Sequence, residues 1–327
     1  MMRIFIILNG QGKVILLIIY KISALYTGTP LYILGTTKDK AWSLVLTSSL
    51  IVWVESNRIA KTNAQFIRHW QNAAKKKLIV IIHKGSLINQ DNHYLLTAYP
   101  SSIFPLAEKN SKGYKIYIPI KDKHQQAKMD FASVNPKNTV EMRLPITPKN
   151  IAYIISTLIG KPYGWGNLYF YNDCSSEMVS LYTPFGIWLP RNSRAQVNQG
   201  KMIDRSNVSS EKRIAYLIQH GHKMMTLVYI GGHIFMYLGH YLNENAKKRE
   251  YIAMTYQNIW GLKPPVDNRR SIIGQSLFLP LRLTYPEDTQ LNSLANRKYF
   301  QIIYLDEDPI QTNEKRAPDL KALMLPQ

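Results

Sequence analysis

The chain has 327 residues and a single cysteine, Cys174. One thiol rules out an intrachain disulfide framework and leaves the redox compartment open. Acidic residues are also scarce: 21 Asp and Glu stand against 41 Lys and Arg, a formal net charge of +20. That excess points to an anionic partner or environment: nucleic acid, anionic lipid or the acidic polymers of a bacterial envelope. Nucleic acid is not expected, because no recognition motif is present and the aromatics are not interleaved with arginine in a stripe. Long hydrophobic runs are missing as well. Residues 14–20 (VILLIIY) are apolar, but Lys21 interrupts them and the run is too short to span a bilayer. No convincing small-residue cleavage site follows, so the segment reads poorly as a signal peptide and membrane anchoring stays open.

What is present implies two or three domains, since a chain of this length exceeds one ordinary core. Residues 27–60 alternate short apolar runs with turn residues (Gly28, Pro30, Gly35, Lys38-Asp39), a string of short antiparallel strands. Residues 65–76 (QFIRHWQNAAKK) place Phe66, Trp70 and Ala73-Ala74 at helical spacing. The run Lys75-Lys76-Lys77 fits a solvated helix end. Strand-like runs return over 78–135, suggesting a second small barrel. Thr147-Pro148 then opens a helix, with Thr as N-cap and Pro at the first helical position. A second helix is expected from Asp173 or Cys174 to about Pro184-Phe185-Gly186. Strands follow at 225–231, 233–239, 250–256 and 275–283, and helices followed by an antiparallel sheet make an α+β pattern. Residues 306–327 read as a loose polar tail.

A lone cysteine is by residue type a small core residue. Cys174 differs because Asp173 can cap a helix beginning there. Free N–H groups and the helix dipole stabilise a thiolate at such a position. A Cys–His nucleophile needs an imidazole from elsewhere in the chain. His233 follows Gly231-Gly232 and starts the strand HIFMYLG, so it is the best candidate. Gln257, ending EYIAMTYQ, can orient the ring from the neighbouring strand. His220 and His222 form an H-x-H pair without further ligands. They read as a loop, and neither a metal nor another cofactor is expected.

The blocks YGWGN (163–167), DCSS (173–176), FGIWLPRNSRAQ (185–196) and GHIFMYLG (232–239) together resemble the NlpC/P60 family of cell-wall peptidases. GTPLYI…DKAW…VWVES and YLLTAYPSSIFPL…YKIYIP resemble the paired bacterial SH3-type barrels of one NlpC/P60 subgroup. The resemblance implies a papain-like α+β catalytic domain at 145–285 behind two small all-β barrels. These fall at 26–64 and 78–140, joined by a helical linker at 65–77; an atypical N-terminus (1–25) and a C-terminal extension (286–327) flank them. It implies hydrolysis of the γ-D-glutamyl–diamino acid bond of murein stem peptides by a monomer in the cell envelope or periplasm. A catalytically weak wall-binding protein is the alternative. Carried over by position, Cys174 is the nucleophile, His233 the general base and Gln257 the third polar residue, where the family most often has His. Asp173 and Ser175 correspond to residues that hold a free L-alanine amine. Tyr163 and Trp165 line the pocket, and Arg191, Asn192 and Ser193 lie beside it. The first barrel closes one side of the pocket in this subgroup, favouring small soluble peptides.

The N-terminus departs from the family. Relatives carry a stretch like G-Y-P-F-D-x-x-Q-x-S before the GTP block, where this chain has Gly12-Lys13-VILLIIYKI-Ser23. Codons can be chosen for residues 14–22 that read YPFDYLQN in another frame. The expectation is that residues up to about 22 come from a frameshifted start, which the gene sequence decides.

Overall fold

The computed structural model describes residues 2–3, 23–89, 91–110, 113–244, 250–264 and 271–309. The apolar run at 14–20 lies outside them, as do the expected frameshifted start apart from residues 2–3 and most of the expected tail. Met2–Arg3 (β1) pairs antiparallel with Ala24–Leu25 (β2). Tyr32–Thr36 (β3), Trp42–Leu46 (β4) and Ile51–Glu55 (β5) form a three-stranded antiparallel meander. The period-2 alternation of β4 and β5 buries Val45, Val52 and Val54 against Leu25, Leu50 and Ile59. This is the small all-β unit expected at the N-terminus.

Asn63 caps the helix Ala64–Lys76 (α1) by accepting from the Phe66 N–H at 2.8 Å. Lys75 and Lys76 occupy its last turn, where the helix dipole favours cations. The next seven strands are Leu78–Ile81 (β6), Gly85–Ile88 (β7), Tyr94–Ala98 (β8), Ile103–Asn110 (β9), Gly113–Lys121 (β10), Ala127–Val134 (β11) and Thr139–Glu141 (β12). They form one antiparallel sheet in the order β12-β6-β9-β10-β11-β7-β8. Its core holds Ile79, Ile81, Leu87, Phe104, Ile116 and Ile118.

The remaining elements form a six-stranded antiparallel sheet with helices on both faces. The strands are Lys201–Asp204 (β13), Thr226–Tyr229 (β14), Ile234–Asn243 (β15), Glu250–Leu262 (β16), Ser271–Leu281 (β17) and Gln301–Tyr304 (β18), in the order β13-β18-β14-β15-β16-β17. Pro148–Leu158 (α2) and Cys174–Tyr182 (α3) cover one face. There Ile151, Ile154, Leu158, Met178 and Leu181 pack on Ile234, Met236 and Tyr256. Ser210–His220 (α5) covers the other face, where Leu217 meets Phe235, Tyr237 and Phe300. Ser193–Gln196 (α4) is a single turn beside α3. The α+β class is as expected. One strand is not: β18 comes from the segment set aside as an extension, yet lies inside the sheet between β13 and β14. Its four residues are too few to announce themselves by periodicity.

The units are joined close to α3. Ser101 Oγ lies 2.7 Å from Ser180 Oγ, and the Leu144 N–H donates to the Pro184 carbonyl at 2.9 Å.

Candidate active site

Asp173 starts α3 with a reciprocal cap. Its carboxylate accepts from the Ser176 N–H at 3.0 Å, and Ser176 Oγ accepts from the Asp173 N–H at 2.8 Å. This fixes Cys174 as the first helical residue, at the positive end of the helix dipole. The side chain is buried, and its thiol donates to the Gly232 carbonyl at 3.9 Å. Burial pushes the thiol up to about 12, and the negative charge of Asp173 acts in the same direction. Backbone N–H groups of Ile234 and Ser175 and the Arg191 charge oppose it.

His233 is delivered to the same place by a hairpin. Tyr229 pairs with Ile234, and the Ile230 N–H donates to the His233 carbonyl at 3.0 Å. Gly231 and Gly232 are the two central residues, with φ of +80° and +78°. A two-residue hairpin with both centres left-handed favours glycine at each. His233 Nε2 lies 2.7 Å from Gln257 Oε1, and Gln257 Nε2 donates to Thr255 Oγ1 at 2.8 Å. Committing the amide nitrogen to Thr255 turns the amide oxygen to the imidazole. Nε2 therefore carries the proton, and Nδ1 keeps its lone pair as a base. Burial pushes His233 down to about 4, against the opposing Gln257 bond. Near neutral pH the resting pair is thus an uncharged thiol and an uncharged imidazole.

Arg191 and Asp173 form a buried ion pair at 2.5 Å. Arg191 also donates to Ser175 Oγ at 2.8 Å, Asn167 Oδ1 at 2.8 Å and Ser23 Oγ at 3.0 Å. The Asp173 carboxylate receives further bonds from the Gly166 N–H, Ser175 Oγ and Ser176 Oγ. Burial raises the Asp173 carboxyl, but the Arg191 charge and these bonds outweigh it and hold the group below its ordinary range. By resemblance Asp173 is expected to hold a substrate amine and Arg191 to lie beside the pocket. In the structure the two neutralise each other, and five donors face the Asp173 carboxylate.

The loop before α3 is tightly folded. A Cβ on Gly164 would stand 2.5 Å from the Tyr171 carbonyl, so only glycine fits there. Asn167, Tyr169 and Phe170 have φ of 57°, 54° and 65°, a costly run for side-chain-bearing residues. Phe170 lies between two rings from the all-β units, Tyr26 at 5.7 Å and Tyr99 at 4.0 Å. Tyr163 packs its ring against Trp260 at 6.0 Å, and Trp165 is half-buried where the loop turns. Ser193 is buried as the first residue of α4, which Asn192 caps. Gln196 of the same turn donates to the Ser175 and Pro190 carbonyls at 3.0 and 2.8 Å. The structure thus gathers Asp173, Cys174, Ser175 and Arg191 at one helix end, and His233 and Gln257 beside it.

Ser23, Tyr26, Asn167, Glu177 and Gln196 also belong to the site's framework and were not singled out from sequence. Asn167 and Gln196 lie in the quoted blocks, and Glu177 stands out as a charge in an otherwise uncharged helix. His220 packs on Tyr216 at 4.5 Å, and His222 Nδ1 lies 2.9 Å from the Asp306 carboxylate. Among the described residues no three His, Cys, Asp or Glu side chains converge as metal ligands.

Residues 160–262 match the NlpC/P60 family model, and residues 20–55 match the SH3 domain (SH3b1 type). An NlpC/P60 endopeptidase from Photobacterium damselae subsp. piscicida is similar at TM-score 0.73 and 32% identity. That match covers 88% of this chain and 66% of the relative, so the chain spans just under two thirds of that relative's length. An NlpC/P60 family protein from Bacillus cereus ATCC 10987 shares the fold at TM-score 0.53 and 14% identity, covering 83% of this chain and 79% of that one. No curated protein sequence matches the chain.

Proposed function

Taking the chain as a member of the NlpC/P60 family with an SH3b1-type domain ahead of its catalytic half, we propose that it is a cysteine peptidase of murein stem peptides. The bond cleaved is the one joining γ-D-glutamate to a diamino acid, and the place of action is the cell envelope. The observation that carries this reading is the set formed by Cys174 at a helix N-terminus, His233 at the adjoining hairpin and Gln257 holding the ring by Nε2.

The chemistry follows from the protonation states. The Cys174 sulfur attacks the γ-glutamyl carbonyl carbon while His233 Nδ1 accepts the thiol proton. The first-turn N–H groups of α3 favour the charge that builds on sulfur and on the carbonyl oxygen. The imidazolium then returns its proton to the leaving amine, and the diamino acid departs with that proton. Water attacks the remaining thioester with His233 again as base, which restores the thiol and releases the peptide acid. Gln257 is neutral, so it orients the ring without stabilising the imidazolium by charge. Murein stem peptides are acidic, and the net charge of +20 suits them.

The test is incubation of the protein, and of Cys174→Ala, with L-Ala-γ-D-Glu-diaminopimelate, followed by mass spectrometry. Free diaminopimelate from the wild type alone is the expected result. Folded wild-type protein that binds murein and releases nothing would overturn the peptidase reading in favour of a wall-binding role.

A further inference from the structure

Glu177 lies on α3 one turn after Cys174 and is fully buried. Its carboxylate faces three donors. Oε1 accepts a short bond from the Tyr256 hydroxyl, and Oε2 accepts from Asn172 Nδ2 at 2.8 Å and Asn258 Nδ2 at 3.5 Å. Asn172 immediately precedes Asp173 and Cys174. Tyr256 and Asn258 flank Gln257 on β16. Strand alternation sends Tyr256 and Asn258 toward α3, while Gln257 and Thr255 share the other face. Asn258 Nδ2 also donates to the Asn172 carbonyl at 3.0 Å, and Asn172 Nδ2 to Ser180 Oγ at 3.0 Å.

Three donors around one carboxyl favour its ionised, acceptor-only form; on protonation the Tyr256 hydroxyl must turn from donor to acceptor and the arrangement changes. We propose that ionised Glu177 is a positioning residue, holding the nucleophile's helix in register with the strand that carries Gln257. The proposal rests on the peptidase reading for its effect on turnover. The titratable or charged groups facing Glu177 are Tyr256 from the strand and Asp173 from the helix cap, the latter neutralised by Arg191. The other groups facing it are amides. Burial raises the Glu177 carboxyl to about 7, against the bonds from Tyr256, Asn172 and Asn258. Ionisation therefore occurs within the working range, and the register it maintains is gained as pH rises through that value.

Two measurements on wild type and Glu177→Gln test this. The first is kcat and KM for the diaminopimelate tripeptide across pH. Misplacement of reacting groups by about 1 Å costs up to roughly a hundredfold. The variant should accordingly lose about tenfold or more in kcat with KM within about twofold. The wild type's fall in kcat below neutral pH should vanish in the variant. The second needs no turnover: histidine labelled in the ring, with the His233 signal followed by NMR. In the wild type that signal should move with a midpoint near 7, well above the value of about 4 for the ring itself. In Glu177→Gln it should stay still over the same range. Tyr256→Phe removes one donor and should shift the wild-type midpoint upward, which keeps the test decisive if Glu177→Gln does not fold. No movement in the wild type, the same movement in Glu177→Gln, or an unmoved midpoint in Tyr256→Phe overturns the proposal. Movement as expected without release of diaminopimelate would overturn the peptidase reading and leave the positioning role standing.

Discussion

Gln257 Oε1 holds His233 Nε2 at 2.7 Å, and the same amide is anchored through its nitrogen to Thr255. The bond dictates which ring nitrogen is the base. Gln257→Ala frees the ring to rotate and to change tautomer, and kcat should fall about a hundredfold with little change in KM. Gln257→Glu puts a carboxylate against the ring and favours the imidazolium. An NMR titration of His233 in that variant should show its pKa well above the value of about 4 that burial imposes now. An unchanged titration would mean that the Gln257 contact is not made in solution.

Arg191 and Asp173 are both buried, so removing either leaves an uncompensated charge. Arg191→Ala should cost about 3–5 kcal/mol in denaturant unfolding. Arg191→Lys should recover only part of it, because an ammonium cannot reach Asp173, Ser175, Asn167 and Ser23 together. The Asp173 carboxyl is held below its ordinary range, so the pair's contribution is complete above the unfolded value of about 3.9. It is lost as pH falls through the lower folded value. The stability gap between wild type and Asp173→Asn should therefore shrink only in strong acid, which unfolding curves at stepped pH will show.

Glu177 has the opposite sign. Its folded value of about 7 lies above the ordinary 4.5, so the folded state holds a proton that the unfolded state has lost between those limits. Stability falls across that interval as pH rises, by up to about 3 kcal/mol for a shift of this size. Glu177→Gln cannot titrate. The difference in unfolding free energy between the two proteins should change by that amount from acid to neutral pH. A constant difference would place the Glu177 pKa near its ordinary value.

Phe170 ties the loop before α3 to both all-β units through Tyr26 and Tyr99. Phe170→Ala should cost about 3–5 kcal/mol of stability. It should also raise KM as well as lower kcat, since the loop runs from Tyr163 and Trp165 at one end to Asp173 and Cys174 at the other. Steady-state kinetics on the folded variant separates these effects; a loss confined to kcat would contradict this placement.

Much of the site could be read from local sequence. Asp173 caps the helix that Cys174 begins because the signal lies within four residues, and the Gly-Gly turn before His233 is equally local. Long-range pairings carried no such signal. Arg191 and Asp173 are 18 residues apart, and nothing in either block says that the arginine turns inward to the helix cap rather than outward to a substrate. Ser23 reaches Arg191 across 168 residues, and Tyr256 reaches Glu177 across 79. The glutamate at 177 breaks the apolar pattern of its helix. Only the three-dimensional arrangement of Asn172, Tyr256 and Asn258 explains why it can be buried without a cation.

The position of β18 bears on how the molecule is made. Strands β13 and β14 never touch; Gln301–Tyr304 is the piece that joins them. During synthesis Cys174 and His233 leave the ribosome long before residue 304. Until that last strand arrives, β13 has no neighbour and β14 presents an open edge. The all-β units can settle as they emerge, since their strands pair only among themselves. The six-stranded sheet can close only after residues 301–304 have emerged, so Cys174 and His233 are both made well before the sheet that holds them together is complete.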